Sequence, residues 1–259
     1  MRVCALASGS AGNCFYIEKG NSAVLVDAGI SAKTINERLN AMKLEANKIK
    51  GIFVTHEHID HIRGVDVFAR QMEIPIFATK GTIENGFLCS QEELINRIKN
   101  NESVDIDGLR IESFLKSHKA AEPISFSVVD KEKNKIASVI TDLGYSCKNV
   151  NDAISVSDFL FLESNHDIKM LENGPYPYFL KKWVASDNGH LSNKQAALAV
   201  LEYSNPKLKN VVLSHLSQKN NLPSVAIKTF RSLMKERNDV NSNISVSLND
   251  IPTKLFSIG

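Results

Sequence analysis

A dense cluster of histidine and aspartate follows a short apolar run in the first quarter of the chain. Residues 55–64 read THEHIDHIRG, which places His56, His58, Asp60 and His61 directly after the run GIFVT. A strand that ends in such a segment delivers several polar side chains to one edge of a rigid sheet. Imidazole and carboxylate are ordinary ligands of zinc, manganese and iron. The cluster therefore predicts a strand, a tight loop and a metal site.

The spacing within this cluster indicates two ions rather than one. On a tight loop His56 and His58 point to one ion, whereas Asp60 and His61, at the start of the next helix, point to a second. The alternative is a polar loop that is rich in histidine and binds no metal. The ligand types do not separate zinc from manganese, and iron also accepts them.

Short apolar runs bounded by polar or small residues recur along the whole chain. They predict strands at VCALAS, AVLVDAG, GIFVTH, IPIFAT, LRIESFLKSH, ISFSVVD, IASVITD, DFLFLES and NVVLSH. The segment SVVDKEKNKIASVI has a polar turn between two apolar runs and predicts a hairpin.

Helical periodicity lies between some of these runs. The pattern predicts a helix after the N-cap Ser31, helices over 65–72 and 225–234, and an Ala-rich helix over 193–203 after the N-cap Ser192. Strands with interspersed helices predict helices that cover sheets in a layered α/β or α+β domain. No linker or repeat divides the chain, so we expect one domain over residues 1–259.

Bulk properties exclude several classes of protein. The four cysteines form no C-x-x-C pair, so a thiolate zinc knuckle is not expected, and reduced thiols fit a cytoplasmic protein. No apolar run approaches the roughly 18 residues that span a bilayer, and the N-terminus lacks a signal core, so neither export nor a membrane anchor is expected. The net charge of +2 neither demands nor excludes a nucleic-acid partner.

Six polar residues share one position relative to the predicted strands. Each falls at or just beyond the end of an apolar run, and they are Asp27, His56, His118, Asp142, His166 and His215. Because loops converge at strand ends, this regularity predicts one site at one edge of the fold.

These motifs resemble the metallo-β-lactamase superfamily, whose signature is H-x-H-x-D-H. The resemblance implies an αββα sandwich with two β-sheets between helical layers. It also implies roles for four further residues: Asp27 supports the site from behind the ligands, His118 completes the first metal site, Asp142 bridges the metals, and His215 completes the second site. The expected ligands of the two divalent metal ions are His56, His58, Asp60, His61, His118, Asp142 and His215.

Such a site predicts a binuclear hydrolase. A hydroxide held between two metals roughly 3.5–4 Å apart attacks a phosphodiester near neutral pH, because the metals lower the pKa of water. Asp60 is expected to bind the second metal and to orient this hydroxide, and it is therefore a catalytic candidate.

His190 is the second catalytic candidate. It lies in GHLSN ahead of the Ala-rich helix, and this arrangement resembles the ribonuclease Z group, where a comparable histidine assists phosphodiester cleavage. The resemblance implies that His190 protonates the leaving oxygen or stabilises its charge. The alternative is that His190 caps the helix or faces solvent. His166 stays open between contact with metal, with substrate and a structural role.

Further segments resemble the YycJ (WalJ) family of small metallo-β-lactamase-fold proteins. They are SGSAGN, VDAGIS, THEHIDHIRG, ESNHD, GHLSN and LSHLSQKNN. The resemblance implies a 5′-to-3′ exonuclease with a nucleic-acid substrate, DNA rather than RNA. The alternatives are a tRNA-processing-like endoribonuclease, a thioester or lactam hydrolase, and a non-catalytic nucleic-acid-binding module. The oligomeric state is left undetermined.

Two more segments allow two interpretations each. The loop SGSAGN, residues 8–13, either offers backbone N–H groups to a phosphate or is a plain tight turn. Lys181, Lys182 and Trp183 form either a basic and aromatic contact for a nucleic-acid strand or a solvated charge pair beside a core tryptophan.

Overall fold

The computed structural model describes residues 1–237 and 239–259, which form two seven-stranded β-sheets. The first sheet begins with β1 (Arg2–Ala7), β2 (Cys14–Lys19), β3 (Ser22–Val26), β4 (Ile49–Phe53), β5 (Ile76–Ala78) and β6 (Ile95–Arg97). The second sheet contains β7 (Ser103–Ile106), β8 (Leu109–Leu115), β9 (Ile124–Asp130), β10 (Lys135–Ile140), β11 (Phe159–Glu163), β12 (Asn210–Ser214) and β13 (Asn243–Val246). The last strand, β14 (Phe256–Ser257), returns to the first sheet beside β1.

Both sheets combine antiparallel and parallel pairing. In the first sheet β14, β1, β2 and β3 pair antiparallel, and β3 to β6 continue in parallel. In the second sheet β7 to β10 pair antiparallel, and β10 to β13 are parallel. The predicted hairpin is confirmed as β9 and β10, with Asp130 opposite Lys135.

The longer helices cover the outer faces of the sheets, and they are α1 (Ala32–Ala41), α3 (Val65–Met72), α5 (Lys148–Val156), α8 (Asn193–Tyr203) and α9 (Pro223–Met234). The shorter helices α2 (Ile59–Ile62), α4 (Lys80–Asn85), α6 (Ile168–Asn173) and α7 (Tyr178–Val184) lie in the connections between strands. Ser31 and Ser192 cap α1 and α8 as predicted, each through its side-chain oxygen. Within the described ranges, none of the helices combines the length and the apolar character that crossing a bilayer requires.

Three apolar layers show why the strands are buried on both faces. In β1, Val3 and Ala5 point into the layer between the two sheets, whereas Cys4 and Leu6 point to the layer beneath α1 and α3. A third layer lies between the second sheet and α5, α8 and α9. Side chains alternate along a strand, so burial on both faces requires nearly continuous apolar runs. The predicted αββα sandwich is confirmed.

All nine predicted strands are present, and sequence patterns did not predict β2, β6, β7, β13 and β14. β2 is buried but carries Glu18, whose carboxylate pairs with Arg2 and accepts a hydrogen bond from the Tyr16 hydroxyl at 2.6 Å. This internal partner compensates for a charge that breaks the apolar pattern. The other four strands have two to four residues, too few for a clear period.

Close backbone contacts fix the segment that carries Asp60. The Asn13 N–H donates to the Asp60 carbonyl at 2.8 Å, and the Gly29 N–H donates to the Asn13 carbonyl at 2.7 Å. A Cβ atom on Gly29 would lie 1.7 Å from the Asp60 carbonyl oxygen. Glycine is therefore required at position 29 so that three chain segments meet behind the Asp60 carboxylate.

We predict that Gly29→Ala destabilises the protein by about 1–3 kcal/mol, because backbone must move to admit the methyl group. Urea unfolding measures this free energy. Gly20→Asn is the matched control, since Gly20 has a left-handed φ of +60° and nothing within 4 Å of an added Cβ, and asparagine tolerates that conformation. An equal, small loss in both variants would contradict the backbone contact at Gly29.

Candidate metal centre

The polar strand ends of both sheets meet at one edge of the sandwich. The residues that end or follow the strands there are Asp27 after β3, His56 after β4, His118 after β8, Asp142 after β10, Glu163 in β11 and His215 after β12. The imidazole centroids of His56 and His61 are 4.1 Å apart, and those of His61 and His215 are 6.1 Å apart. The structure thus brings the residues of the THEHIDH segment and the distant strand ends into one cluster.

Three of these strand ends turn through a left-handed backbone. Asp27, Asp142 and His215 have φ values of 59°, 58° and 55°. This conformation costs a non-glycine residue on the order of 1–3 kcal/mol, so it persists only where the surroundings impose it. Asp142 and His215 belong to one group of possible metal ligands, and the Asp27 carboxylate lies 2.7 Å from His61 Nδ1 of that group.

The first ligand group contains three imidazoles. His58 Nδ1 lies 3.0 Å from His56 Nε2 and 3.4 Å from His118 Nε2. All three nitrogens lie within 4.8 Å of one another, close enough to share a single ion. His56 and His118 are buried and His58 is half-buried, so the group is a pocket of nitrogen donors with one side open.

The second ligand group contains two imidazoles and two carboxylates. His61 Nε2 lies 3.5 Å from Asp60 Oδ2 and 3.1 Å from Asp142 Oδ2. His215 Nε2 lies 3.6 Å from Asp60 Oδ2. Asp142 also reaches toward the first group, because its Oδ1 lies 3.8 Å from His118 Nε2. The carboxylate of Asp142 therefore stands between the two groups.

The second ring nitrogen of four histidines is held by an oxygen outside the ligand groups. A carbonyl or carboxylate accepts and does not donate, and the Thr55 hydroxyl donates its own hydrogen to Asp27 Oδ2 at 3.0 Å. Each neighbouring Nδ1 therefore carries the proton, and Nε2 keeps its lone pair. The Nδ1 contacts are His56 to Thr55 Oγ1 at 2.9 Å, His61 to Asp27 Oδ2 at 2.7 Å, His118 to the Gly189 carbonyl at 3.1 Å, and His215 to Glu163 Oε1 at 2.9 Å. This pattern leaves Nε2 free for metal.

Unsatisfied buried atoms provide a test of whether the residues fit metal ions. Asp142 Oδ2 and His215 Nε2 are both buried without a hydrogen-bond partner in the part of the chain that the structure describes. A buried polar atom that lacks a partner is costly. Both atoms face the second ligand group, where a divalent cation would satisfy them. The donor set therefore fits two metal ions.

Glu163 is a site residue that sequence reasoning did not single out. Its Oε1 accepts hydrogen bonds from Nδ1 of His190 and of His215, both at 2.9 Å, and its Oε2 accepts from the backbone N–H groups of Leu143 and Leu191. The pKa of Glu163 is about 2, because its partners outweigh the burial that alone would raise it. An acidic residue that ends the apolar run FLFLE was the available signal.

Glu163, His190, His215 and Asp142 also form a third possible ligand group that overlaps the second. The two imidazoles present N–H donors to the Glu163 carboxylate in this group rather than lone pairs. Glu163 is fully buried and already accepts four hydrogen bonds. This group therefore fits a hydrogen-bonded support behind the ligands better than a third metal site.

The SGSAGN loop supports the site through the side chains of Asn13 and Ser8 in addition to the Asn13 backbone N–H. Asn13 Nδ2 lies 3.2 Å from His61 Nε2, and Asn13 Oδ1 accepts from the Ser8 hydroxyl and the Gly9 N–H. Ser8 Oγ in turn accepts from the His215 backbone N–H at 2.8 Å. The loop thus contacts the ring of His61 and the backbone of His215, a role that the turn pattern does not reveal.

The two ligand groups differ in electrostatics. Burial lowers the pKa of His58, lowers that of His118 to about 3, and lowers that of His56 well below its usual range. Burial acts in the same direction on His61 and His215, but Asp142 and other carboxylates overcome it and raise the pKa of His215 to about 10. The first group is thus neutral, whereas the carboxylates of the second attract positive charge.

The two remaining histidines lie at the margin of the ligand groups. The His190 ring contacts the rings of His118, His215 and Trp183 with centroid separations of 5.3, 5.1 and 5.5 Å. The side chain of His190 is 12% exposed, so it reaches the opening of the site. His166 is buried, belongs to none of the three ligand groups and pairs through its backbone with Ser192.

Comparison with known proteins places this arrangement in a family. The model of the beta-lactamase superfamily domain matches residues 22–216. Exodeoxyribonuclease YycJ of Bacillus anthracis is 35% identical over 240 residues, which cover 90% of this chain and 88% of that protein. Exodeoxyribonuclease WalJ of Streptococcus pneumoniae is 36% identical over 233 residues, with 87% and 85% covered.

Solved structures show the same fold at low identity. The metallo-beta-lactamase fold protein YhfI of Bacillus subtilis aligns with a TM-score of 0.72 and 14% identity, covering 97% of this chain and 98% of that one. The short form of human tRNase Z aligns with a TM-score of 0.66 and 17% identity, covering 98% of each chain. The chain therefore belongs to the beta-lactamase superfamily and, within it, to the family of YycJ and WalJ.

Proposed function

We propose that this chain is a metal-dependent nuclease that removes nucleotides from the 5′ end of DNA. The observation that carries the proposal is the pair of ligand groups with Asp142 between them, its carboxylate in the second group and 3.8 Å from His118 Nε2 of the first, and with His190 beside them at the opening. Two relatives that match most of the chain bear the name exodeoxyribonuclease, which supports DNA as the substrate. The retained ligands argue against a binding module without catalysis.

Seven residues would hold two divalent ions. His56, His58 and His118 would bind one ion, and Asp60, His61 and His215 the other, with Asp142 in contact with both. Nitrogen and oxygen donors suit zinc and manganese, and we propose one of these metals. Bound divalent cations would lower the pKa of water toward about 7 and neutralise charge on the phosphodiester.

The protein's own residues would position the water and the leaving oxygen. The Asp60 side chain is 18% exposed, so its carboxylate can accept a hydrogen bond from the attacking water and orient it. His190 donates Nδ1–H to Glu163, which leaves Nε2 as the nitrogen for the substrate. We assign to Nε2 the proton that the leaving oxygen receives.

The chain organisation and location are part of the same proposal. We infer one domain over residues 1–259, because β1 pairs with β14 and the Met1 amino group donates to the Ile258 carbonyl at 3.2 Å. The thiols of Cys4, Cys14, Cys89 and Cys147 are all free in the described structure, which supports a reducing cytoplasm.

The reaction is tested with strands that carry a label at either end. Metal-loaded protein should release labelled mononucleotide at once from 5′-labelled DNA, whereas 3′-labelled DNA should shorten step by step. Asp60→Asn is the inactive control, since it keeps the side-chain shape and removes the charge. Internal cuts in RNA would support an endoribonuclease instead, and hydrolysis of thioesters or lactams without cleavage of DNA would reject a nuclease.

We predict that His56→Ala and His61→Ala each lose about one metal equivalent, from different groups, because each removes one donor from a set of three or four. Elemental analysis after dialysis against a weak chelator measures the content. His190→Ala is the control and should retain both equivalents. Full metal content in both ligand variants would reject the assignment.

We predict that His190→Ala lowers kcat on a phosphodiester by roughly 10²- to 10⁴-fold, the usual contribution of one acid or base group. KM should change less, because the lost interaction forms mainly in the transition state. A nitrophenolate leaving group, which needs no proton, should partly rescue the variant. Wild-type rates on DNA would show that His190 is structural, and metal loss would show that it is a ligand.

A further inference from the structure

A cavity of about 630 Å³ lies beside the metal centre, between α6, α7 and the first turns of α8. Leu171, Ala185 and Leu198 give it an apolar lining, and Tyr178 stands at its side with 71% of its surface exposed. Sites for small organic molecules measure about 300–1,000 Å³ and combine apolar walls with a few polar groups. The cavity has the size and the lining of a site for one small aromatic molecule.

The polar groups of this α7 cavity favour an anion. Lys181, Lys182 and Lys194 line it, and none of the three forms an ion pair within the described residues. Lys181 Nζ donates to the Glu172 backbone carbonyl at 2.8 Å, and Lys182 Nζ lies 4.9 Å from the Tyr178 ring centroid. Glu172 supplies one carboxylate against three ammonium groups, so the cavity carries a net positive charge.

His166 is an independent sign of a ligand. It lines the cavity with only 2% of its surface exposed, and its Nδ1 is buried without a hydrogen-bond partner among the residues described. Burial lowers the pKa of His166 to about 4, so the ring is neutral at pH 7. A neutral imidazole with an unsatisfied nitrogen is suited to a polar group on a bound molecule.

The α7 cavity lies on the His190 side of the metal centre. Strand β11 ends with Glu163 at the site, and the segment after it carries His166 to the cavity. The segment before α8 carries His190 to the site and Ser192 to the cavity. Helix α7 borders both of them. Its Trp183 ring contacts His190, and its residues Tyr178, Lys181 and Lys182 line the cavity.

We propose that the α7 cavity holds the 5′-terminal nucleotide of the substrate strand, with its 5′-phosphate against the three lysines and its base against Tyr178 and the apolar wall. This inference rests on the proposed function. When the bond to the 3′-oxygen breaks, the departing nucleotide lies on the side of the group that protonates that oxygen, here His190. For a 5′-to-3′ exonuclease that nucleotide is the terminal one and bears the 5′-phosphate.

Binding to the metal-loaded full chain tests the inference without relying on activity. Calorimetry compares deoxyadenosine 5′-monophosphate, deoxyadenosine and inorganic phosphate. The wild type should bind the monophosphate at least tenfold more tightly than deoxyadenosine. Lys181→Glu combined with Lys194→Glu should abolish this preference, and Tyr178→Ala should weaken both nucleosidic ligands. Lys228→Glu, an exposed lysine on α9 away from the cavity, is the matched control and should bind as the wild type does.

Two results would overturn the inference. One is wild-type affinity for the monophosphate in the double lysine variant, with an unchanged melting temperature. The other is displacement of the monophosphate by inorganic phosphate with equal potency in the wild type and that variant, which would place the ligand on the metals.

A rate measurement separates this inference from the proposed function. The double lysine variant should lose the preference for 5′-phosphorylated over 5′-hydroxyl DNA, whereas Lys228→Glu should keep it. If the protein degrades DNA from the 5′ end but does not prefer the monophosphate over deoxyadenosine, the nucleotide site in the cavity is rejected and the nuclease function is kept. If the protein shows this preference and the double lysine variant loses it, but no DNA is cleaved, the nuclease function is rejected and the nucleotide site is kept.

Discussion

The geometry of the site depends on one buried carboxylate. Glu163 accepts four hydrogen bonds, from the segment that carries Asp142, from the segment that carries His190, and from the imidazoles of His190 and His215. An ionised carboxylate without partners would cost many kcal/mol to bury, so these donors and the charge are interdependent. The donors to Glu163 include the backbone N–H groups of Leu143 and Leu191 and the ring of His215. These hydrogen bonds therefore position three loops at once, those after β10, before α8 and after β12.

The balance between burial and nearby carboxylates also gives the imidazoles of the two ligand groups different charges. The first group has neutral imidazoles whose protons are held outward by Thr55 and by the Gly189 carbonyl. The second group has carboxylates that raise the pKa of His61 and His215, so protons compete there with a cation. Metal affinity of the second group should therefore depend more steeply on pH. Asp142 couples the two, since its Oδ2 lies 3.1 Å from His61 Nε2 and its Oδ1 lies 3.8 Å from His118 Nε2.

Sequence patterns predicted the parts of this site that are local in the chain. His56, His58, Asp60 and His61 share one strand end, and strands with both faces buried are visible as continuous apolar runs. The oxygen partners were less predictable, because Glu163 and Asn13 acquire their roles only when distant segments meet. Strands β13 and β14 lie at sheet edges and are too short for periodicity, so pairing with neighbours defines them.

The net charge of the chain did not indicate the positively charged cavity beside α7. It sums over the whole chain, including lysines and carboxylates whose charges cancel in ion pairs. Many lysines of this chain are matched by acidic neighbours, as Lys19 is by Asp130 and Lys135 by Asp158. The lysines of α7 and the start of α8 form no ion pair with the residues that the structure describes, and they face one cavity. A local field of this kind attracts an anion although the chain as a whole is nearly balanced. Because α7 lines that cavity and also contacts His190 through Trp183, one helix borders both the groups proposed to recognise a strand end and the residue proposed to assist its cleavage.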